Sequence, residues 1–277
     1  MPVCQDLMIG NDSNNQQAYS KIECFKTSTV PSHILCIHPP SIDKYTHECI
    51  KEYGKCEHHI AQAAEQCILK EPPGTVTFVD VGANIGDHSF YVAELGVPVI
   101  AVEPHPQNHP LLHRSFQLNR RSLNSFLVLP FALSDNRGKI EMSSTPENIA
   151  DAFLLGGDRQ ATAADSPTVS VPMVMLDDLQ AFVRTRSVVV KLDVQSHECH
   201  VLRGAHNFLT NLNVPCVIME WRNSRLAQGA ADRACNDAMV TQMTRLGYKA
   251  HGIDGTSAVN LSEPLPNQAS DVIWMKM

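Results

Sequence analysis

Hydrophobic residues in this chain fall into short apolar runs separated by stretches of helical spacing, an alternation that begins near residue 76. Residues 78–81 form an apolar run holding one acid, Asp80, and predict a buried strand. Helical spacing follows (Phe90 with Ala93, Tyr91 with Leu95), then a second apolar run over residues 99–102. Leu111, Leu112, Phe116 and Leu118 predict a helix, with Asn108 as its expected N-cap and Pro110 in its first turn. Further strands are expected over 126–131, 169–175, 188–192 and 214–219, the β-branched run 188–192 having the composition of a buried parallel strand. A short helix opens at Leu176. A longer one is expected over 197–209, with Val201, Leu202, Ala205, Phe208 and Leu209 on one face, and another over 231–246, with Gly247 as C-cap. Residues 139–142 predict a short extra strand, and 248–253 with 271–277 a closing hairpin. The polar residues 143–168 read as a long loop, a lid or part of a substrate pocket.

Ahead of this region the pattern differs. Residues 1–30, rich in Asn, Gln, Ser and Thr, predict a loosely ordered arm. Residues 34–37 predict a short strand stopped by Pro39 and Pro40. From 41 to 70, Ile50, Tyr53, Ile60, Ala64 and Cys67 recur near helical spacing until Pro72, Pro73 and Gly74 end the section. The expected division is an arm and mainly helical extension over 1–72 and a catalytic-type domain over 73–277. Strands alternating with helices from 76 to 246 imply an α/β fold with one doubly wound sheet, mostly parallel with an antiparallel C-terminal strand. Ligands of such sheets bind outside the carboxyl ends of the strands. Asp80, Glu103, Asp193 and Glu220 lie at or near those ends, though any of them could merely cap the next helix.

The turn after the first core strand, Gly82-Ala83-Asn84-Ile85-Gly86, carries the candidate chemistry. Glycine lets backbone approach a ligand, and a helix N-terminus offers free N–H groups. A carboxylate after the second strand, Glu103, stands where such sheets grip the hydroxyls of a ribose. Dinucleotide sites want G-x-G-x-x-G to clear room for a pyrophosphate, whereas this chain has D-x-G-x-x-x-G with Asn84 in the middle position. That disfavours a nicotinamide-dependent oxidoreductase and favours S-adenosylmethionine, which has no pyrophosphate and whose ammonium and sulfonium suit a nearby acid.

Composition narrows the classes further. The 277 residues carry a formal net charge of −7, which argues against nucleic acid as main partner. No apolar run approaches the ~20 residues of a membrane span, and the polar N-terminus lacks a signal-peptide core. These features give a cytoplasmic expectation, under which the nine cysteines read as reduced thiols. Six of them (Cys4, Cys24, Cys36, Cys49, Cys56 and Cys67) and five histidines crowd the N-terminal quarter. Paired zinc knuckles are missing there, the nearest approach being His33-x₂-Cys36, so no metal is expected.

The segments FVDVGANIGDHSF, AVEPHPQNHPLL, PFALSDNRG, MLDDL, VVVKLDVQSHECHVLRGA and VIMEW, in this order over about residues 76–222, resemble the FkbM family of S-adenosylmethionine-dependent methyltransferases. The resemblance implies a class I methyltransferase fold and methyl transfer to a hydroxyl oxygen of a small molecule or sugar. Asp80, Gly82, Asn84 and Gly86 would hold the amino-acid part of the cofactor, Glu103 its ribose, and the loop at Ala132 its adenine. From their places at a strand end and at the start of the next helix, Asp193 and His197 are the candidate catalytic pair, the imidazole accepting the proton and the carboxylate orienting ring or substrate. The alternatives are that Asp193 only caps the helix and His197 only packs in its first turn, or that Asp193 and Glu220 hold a divalent metal. Where the family reads K-x-D-V-E-G-x-E, this chain reads KLDVQSHE, with Gln195 and Ser196 as the departures. They remove one negative charge and favour the alternative function, a methyltransferase-like binding or regulatory protein without catalysis. The expected partner is a small-molecule or glycan acceptor, with no nucleic acid and no membrane span.

Overall fold

The structure is a computed structural model that describes residues 22–119, 126–145, 147–155, 167–221, 230–261 and 271–277. It opens with an antiparallel hairpin, β1 (Glu23–Lys26) and β2 (Ile34–Ile37). The sequence reading expects only the second strand. β1 forms because its backbone pairs along β2 and Cys24 is bonded to Cys36. Then come α1 (Lys44–Glu48), continued by a wider π-type turn over Cys49–Tyr53, and α2 (His58–Leu69).

The central region runs β3 (Val76–Val81), α3 (Asp87–Glu94), β4 (Val99–Val102), α4 (His109–Asn119) and β5 (Phe126–Leu129). Next are β6 (Ala132–Ser134), β7 (Gly138–Thr145), β8 (Asn148–Leu154) and β9 (Val169–Met175). A 3₁₀ turn (Leu176–Phe182), β10 (Ser187–Leu192), α5 (Glu198–Arg203), α6 (His206–Asn211), β11 (Asn213–Glu220), α7 (Ala230–Arg245), β12 (Tyr248–Gly252) and β13 (Asp271–Lys276) complete the chain.

Seven strands make one sheet in the order β12-β13-β11-β10-β3-β4-β5. β13 alone runs against its neighbours, so the sheet is mostly parallel with an antiparallel C-terminal strand, the class I methyltransferase arrangement that the resemblance implies. Every residue of β3, β4 and β10 is buried, as parallel strands covered on both faces must be. Period-two alternation divides their side chains. Val79, Val81, Val188 and Val190 join α5, α6 and α7 on one face. Phe78, Val99, Ala101 and Val189 pack on the other with α2, α3 and α4, in an apolar cluster reaching back to Leu35 and Ile50.

Three local expectations differ from the structure. Residues 143–168 are not one loop, because β7 and β8 pair and join β9 and β6 in a second, four-stranded sheet; residues 156–166 lie outside the described residues. The helix expected over 197–209 is two helices broken at Gly204. A Cβ there would stand 2.1 Å from the Ser134 carbonyl oxygen, so backbone rather than side chain fills the contact. Asn108 does not cap α4 with its side chain, which is drawn to Glu103 and His38 instead. Among the described residues no helix is long and apolar enough to cross a membrane.

Candidate active site

A cavity of about 370 Å³ opens at the carboxyl ends of β3, β4, β10 and β11. Its floor is the turn after β3, Glu103 after β4, the Phe131–Leu133 stretch, and Lys191 with Asp193 at the end of β10. Tyr45, Cys56 and Glu57 wall it from the N-terminal extension, and Asn148, Ile149 and Asp151 of β8 wall it from the small sheet. Much of the stretch read as a lid or substrate pocket is therefore wall, built as a strand.

The turn after β3 exists because backbone packs on backbone. Gly82 has φ 78°, and a Cβ on it would lie 1.8 Å from the carbonyl oxygen of Asp193. No side-chain movement relieves such a contact, so only glycine fits. Asn84, with φ 51°, turns its own N–H onto Glu103 Oε2 at 2.8 Å. Oε1 of Glu103 accepts from the His105 N–H at 2.7 Å and from Asn108 Nδ2 at 3.1 Å. Burial raises the Glu103 carboxyl to about 7, against these three hydrogen bonds and Lys191, which pull the other way. The Asn108 amide is oriented in turn by His38, whose Nε2 donates to Asn108 Oδ1 at 2.8 Å. The extension thus reaches the expected ribose-binding acid through a chain of two hydrogen bonds.

Lys191 is a member of the site that the sequence reading missed. It lies beside Asp80 in the parallel register of β10 on β3. Its Nζ sits 3.2 Å from Asp80 Oδ1 and 3.7 Å from Asp193 Oδ2, and donates to the Gly82 carbonyl at 2.8 Å. Burial alone would lower its pKa, but Asp80 and Asp193 outweigh that and hold it above the ordinary lysine range. A lysine inside a β-branched run, VVVKLD, is the signal that could have found it.

Of the residues singled out in the sequence, Gly82, Asn84, Glu103, Ala132 and Asp193 line the cavity together. Asp80 lies behind it, fully buried, with Oδ2 accepting from Ser89 Oγ at 2.6 Å and Oδ1 facing Lys191. Gly86 is not in the lining and begins α3 with φ 93°. His197 is not in the lining either. Gln195 and Ser196 both take left-handed φ, 56° and 74°, and carry the chain away before His197. Its Nε2 lies 2.9 Å from Ser134 Oγ and its ring stacks on His200 with centroids 4.4 Å apart. Burial, and then His200 beside it, push its pKa down to about 3.

That depressed pKa makes a prediction. A histidine depressed in the folded state contributes stability above about pH 6.5, and that contribution is lost as pH falls from there through about 3. The His197 ring nitrogens should therefore show flat NMR shifts from pH 8 to 5. A titration midpoint near 6.5 would remove its partners from the account.

Asn84 Oδ1, His88 Nε2 and Asn148 Oδ1, buried polar atoms of lining residues, have no hydrogen-bond partner. Buried polar atoms left without partners are uncommon, and these belong to residues that line a space large enough for a ligand. His88, the second residue of α3, also lines a small adjoining recess with Glu57, Lys191, Asp193 and Glu220. Gln195 keeps Asp193 in place, its Nε2 donating to Asp193 Oδ1 at 2.9 Å. Asp193, Glu198 and Glu220 bring carboxylate oxygens within 4.8 Å of one another. Glu198 Oε1 already takes the N–H groups of Val194 and Ser196, as a loop-shaping acid does.

Residues 80–250 match the family described as the Methyltransferase FkbM domain, more than half of the chain. Hexuronic acid methyltransferase AglP of Haloferax volcanii is 27% identical over 147 residues, covering 53% of this chain and 56% of that protein. The chain therefore matches only about half the length of this relative. Magnesium protoporphyrin IX methyltransferase (ChlM) of Synechocystis PCC 6803, solved with bound SAM, aligns over 83% of this chain and 89% of its own, at 11% identity and TM-score 0.43. A TehB-like SAM-dependent methyltransferase of Corynebacterium glutamicum aligns over 84% and 95%, at 10% identity and TM-score 0.42. Sheet order and rim cavity define the class, an α/β protein with the methyltransferase arrangement. The chain belongs to the FkbM methyltransferase family.

Proposed function

We propose that the protein transfers a methyl group from S-adenosylmethionine to a hydroxyl oxygen of a small molecule or sugar. The observation that carries this reading is one cavity in which Glu103, the Gly82–Asn84 turn and Asp193 meet beside unpartnered Asn84 Oδ1 and His88 Nε2. The donor set fits the cofactor. Glu103 Oε2 accepts from the Asn84 N–H and keeps a lone pair for a ribose hydroxyl, while Asn84 Oδ1 can take an ammonium N–H. Ala132 lines the side expected for adenine. Asp80 contributes from behind, by holding Lys191 against the turn. When bound, S-adenosylmethionine supplies an electrophilic methyl group on sulfur. The chain's own task is to align an acceptor oxygen with it and to take its proton. We assign the proton to His88 in place of His197, with Asp193 orienting the acceptor. A glycan acceptor is favoured by the sugar-modifying relative, AglP.

Calorimetry tests the cofactor reading without an acceptor. S-adenosylmethionine and its demethylated product should bind, and Glu103→Ala should weaken both by ~1.5–3 kcal/mol, the scale of a hydrogen bond to a charged group. No heat of binding with either would favour the second reading, a binding protein without catalysis, to which Gln195 and Ser196 point. A folded Glu103→Ala variant with unchanged affinity would remove Glu103 from the site.

A further inference from the structure

Composition alone suggests reduced thiols, but the eight described cysteines are joined in four disulfides. Cys24–Cys36 ties the two strands of the first hairpin, and Cys49–Cys56 closes the loop between α1 and α2. Cys67–Cys216 crosslinks α2 to the central strand β11 across 149 positions, and Cys199–Cys235 ties α5 to α7 across 36. Cysteines placed for packing alone would leave some thiols apart from every other. Here all eight find one another, although their sequence separations run from 7 to 149.

We propose that the protein matures and works in an oxidising compartment, such as a secretory lumen, a periplasm or the cell exterior, with these four disulfides as permanent parts of the fold. Disulfides form and persist in such places and are rare where thiol buffers keep cysteine reduced. A redox switch is the competing use of paired cysteines, and burial argues against it. Labile regulatory disulfides are strained or exposed, whereas Cys36, Cys67, Cys199, Cys216 and Cys235 are all buried. Each bond forms when two thiols lose two protons and two electrons to the disulfide of an exchange catalyst, which is reduced to its dithiol.

The positions connect this chemistry to the site. Two crosslinks fasten the extension that walls the cavity. Cys56 is itself in the wall, and its N–H donates to Asp87 Oδ2 at 3.3 Å at the start of α3. Cys67 anchors the far end of α2, the helix that begins just after Glu57. The compartment in turn limits the acceptor to molecules that reach it. The disulfide inference does not depend on the methyl-transfer reading and stands if that reading fails.

The test uses the full chain from its own cells, with free thiols blocked by N-ethylmaleimide at lysis and peptides mapped without reduction. Four crosslinked peptide pairs, joined as named, are expected, with no label on the eight cysteines. Label on Cys67 and Cys216 would overturn the proposal. A second measurement compares melting with and without dithiothreitol. Loss of the crosslinks should lower the midpoint by ~10 °C or more, at 2–5 kcal/mol per disulfide and 2–4 °C per kcal/mol for a chain of this size. An unchanged midpoint under full reduction would show the bonds are not structural and overturn the proposal as well.

Discussion

Replacing Lys191 with methionine is expected to cost the folded state about 3–5 kcal/mol, the usual penalty for removing one partner of a buried ion pair. The Lys191 side chain is 5% exposed and that of Asp80 is 0% exposed, so neither charge has water to fall back on. Without the ammonium, Asp80 keeps the Ser89 Oγ hydrogen bond and is otherwise surrounded by the apolar interior of the sheet. The Gly82 carbonyl also loses its donor, in the turn that forms the cavity floor. The double variant Lys191→Met with Asp80→Asn should recover a large part of the loss, because two neutral residues of similar size leave no uncompensated charge. Urea unfolding at pH 7 measures both. A single variant that loses less than about 1 kcal/mol would mean that the pair is well solvated and carries little stability.

The same pair marks a limit of what sequence shows. The strands from Val76 to Val81 and from Ser187 to Leu192 are legible because each is a short apolar run between turn residues. That Lys191 lies beside Asp80 is a fact of sheet register between segments more than 100 positions apart, and no local pattern encodes it. Cysteine pairing is hidden in the same way, since Cys67 and Cys216 meet only after α2 packs on the sheet. β8 escapes detection because Asn148 and Asp151 interrupt its apolar residues, and its burial alternates only partly. At the site, the Gly82 turn, Glu103 and Asp193 are legible because strand order and strand ends place them. His197 misleads because the start of a helix after a strand end is a generic position. The path of the loop before it decides where the ring points, and two successive left-handed residues, Gln195 and Ser196, turn it toward Ser134.

His88→Ala should lower turnover by 10²–10⁴, the usual contribution of a general base, while leaving S-adenosylmethionine affinity within about twofold. An alcohol is a poor nucleophile near neutral pH, so methyl transfer to oxygen gains from a group that takes the proton as the new bond forms. His88 has the geometry for this. Its Nε2 is buried, has no partner, and belongs to a residue lining both the main cavity and the recess beside Asp193 and Glu220. Asp193 differs, because Gln195 and Lys191 already engage its carboxylate. Asp193→Asn should therefore change KM more than kcat. The assay uses labelled cofactor and an acceptor found by screening methyl glycosides of uronic acids and neutral hexoses. If His88→Ala turns over within threefold of the parent while Asp193→Asn loses a hundredfold in kcat, the carboxylate takes the proton and His88 only shapes the wall. If neither variant loses more than threefold, transfer rests on alignment of the acceptor oxygen with the methyl group, and no side chain of this rim acts as the base.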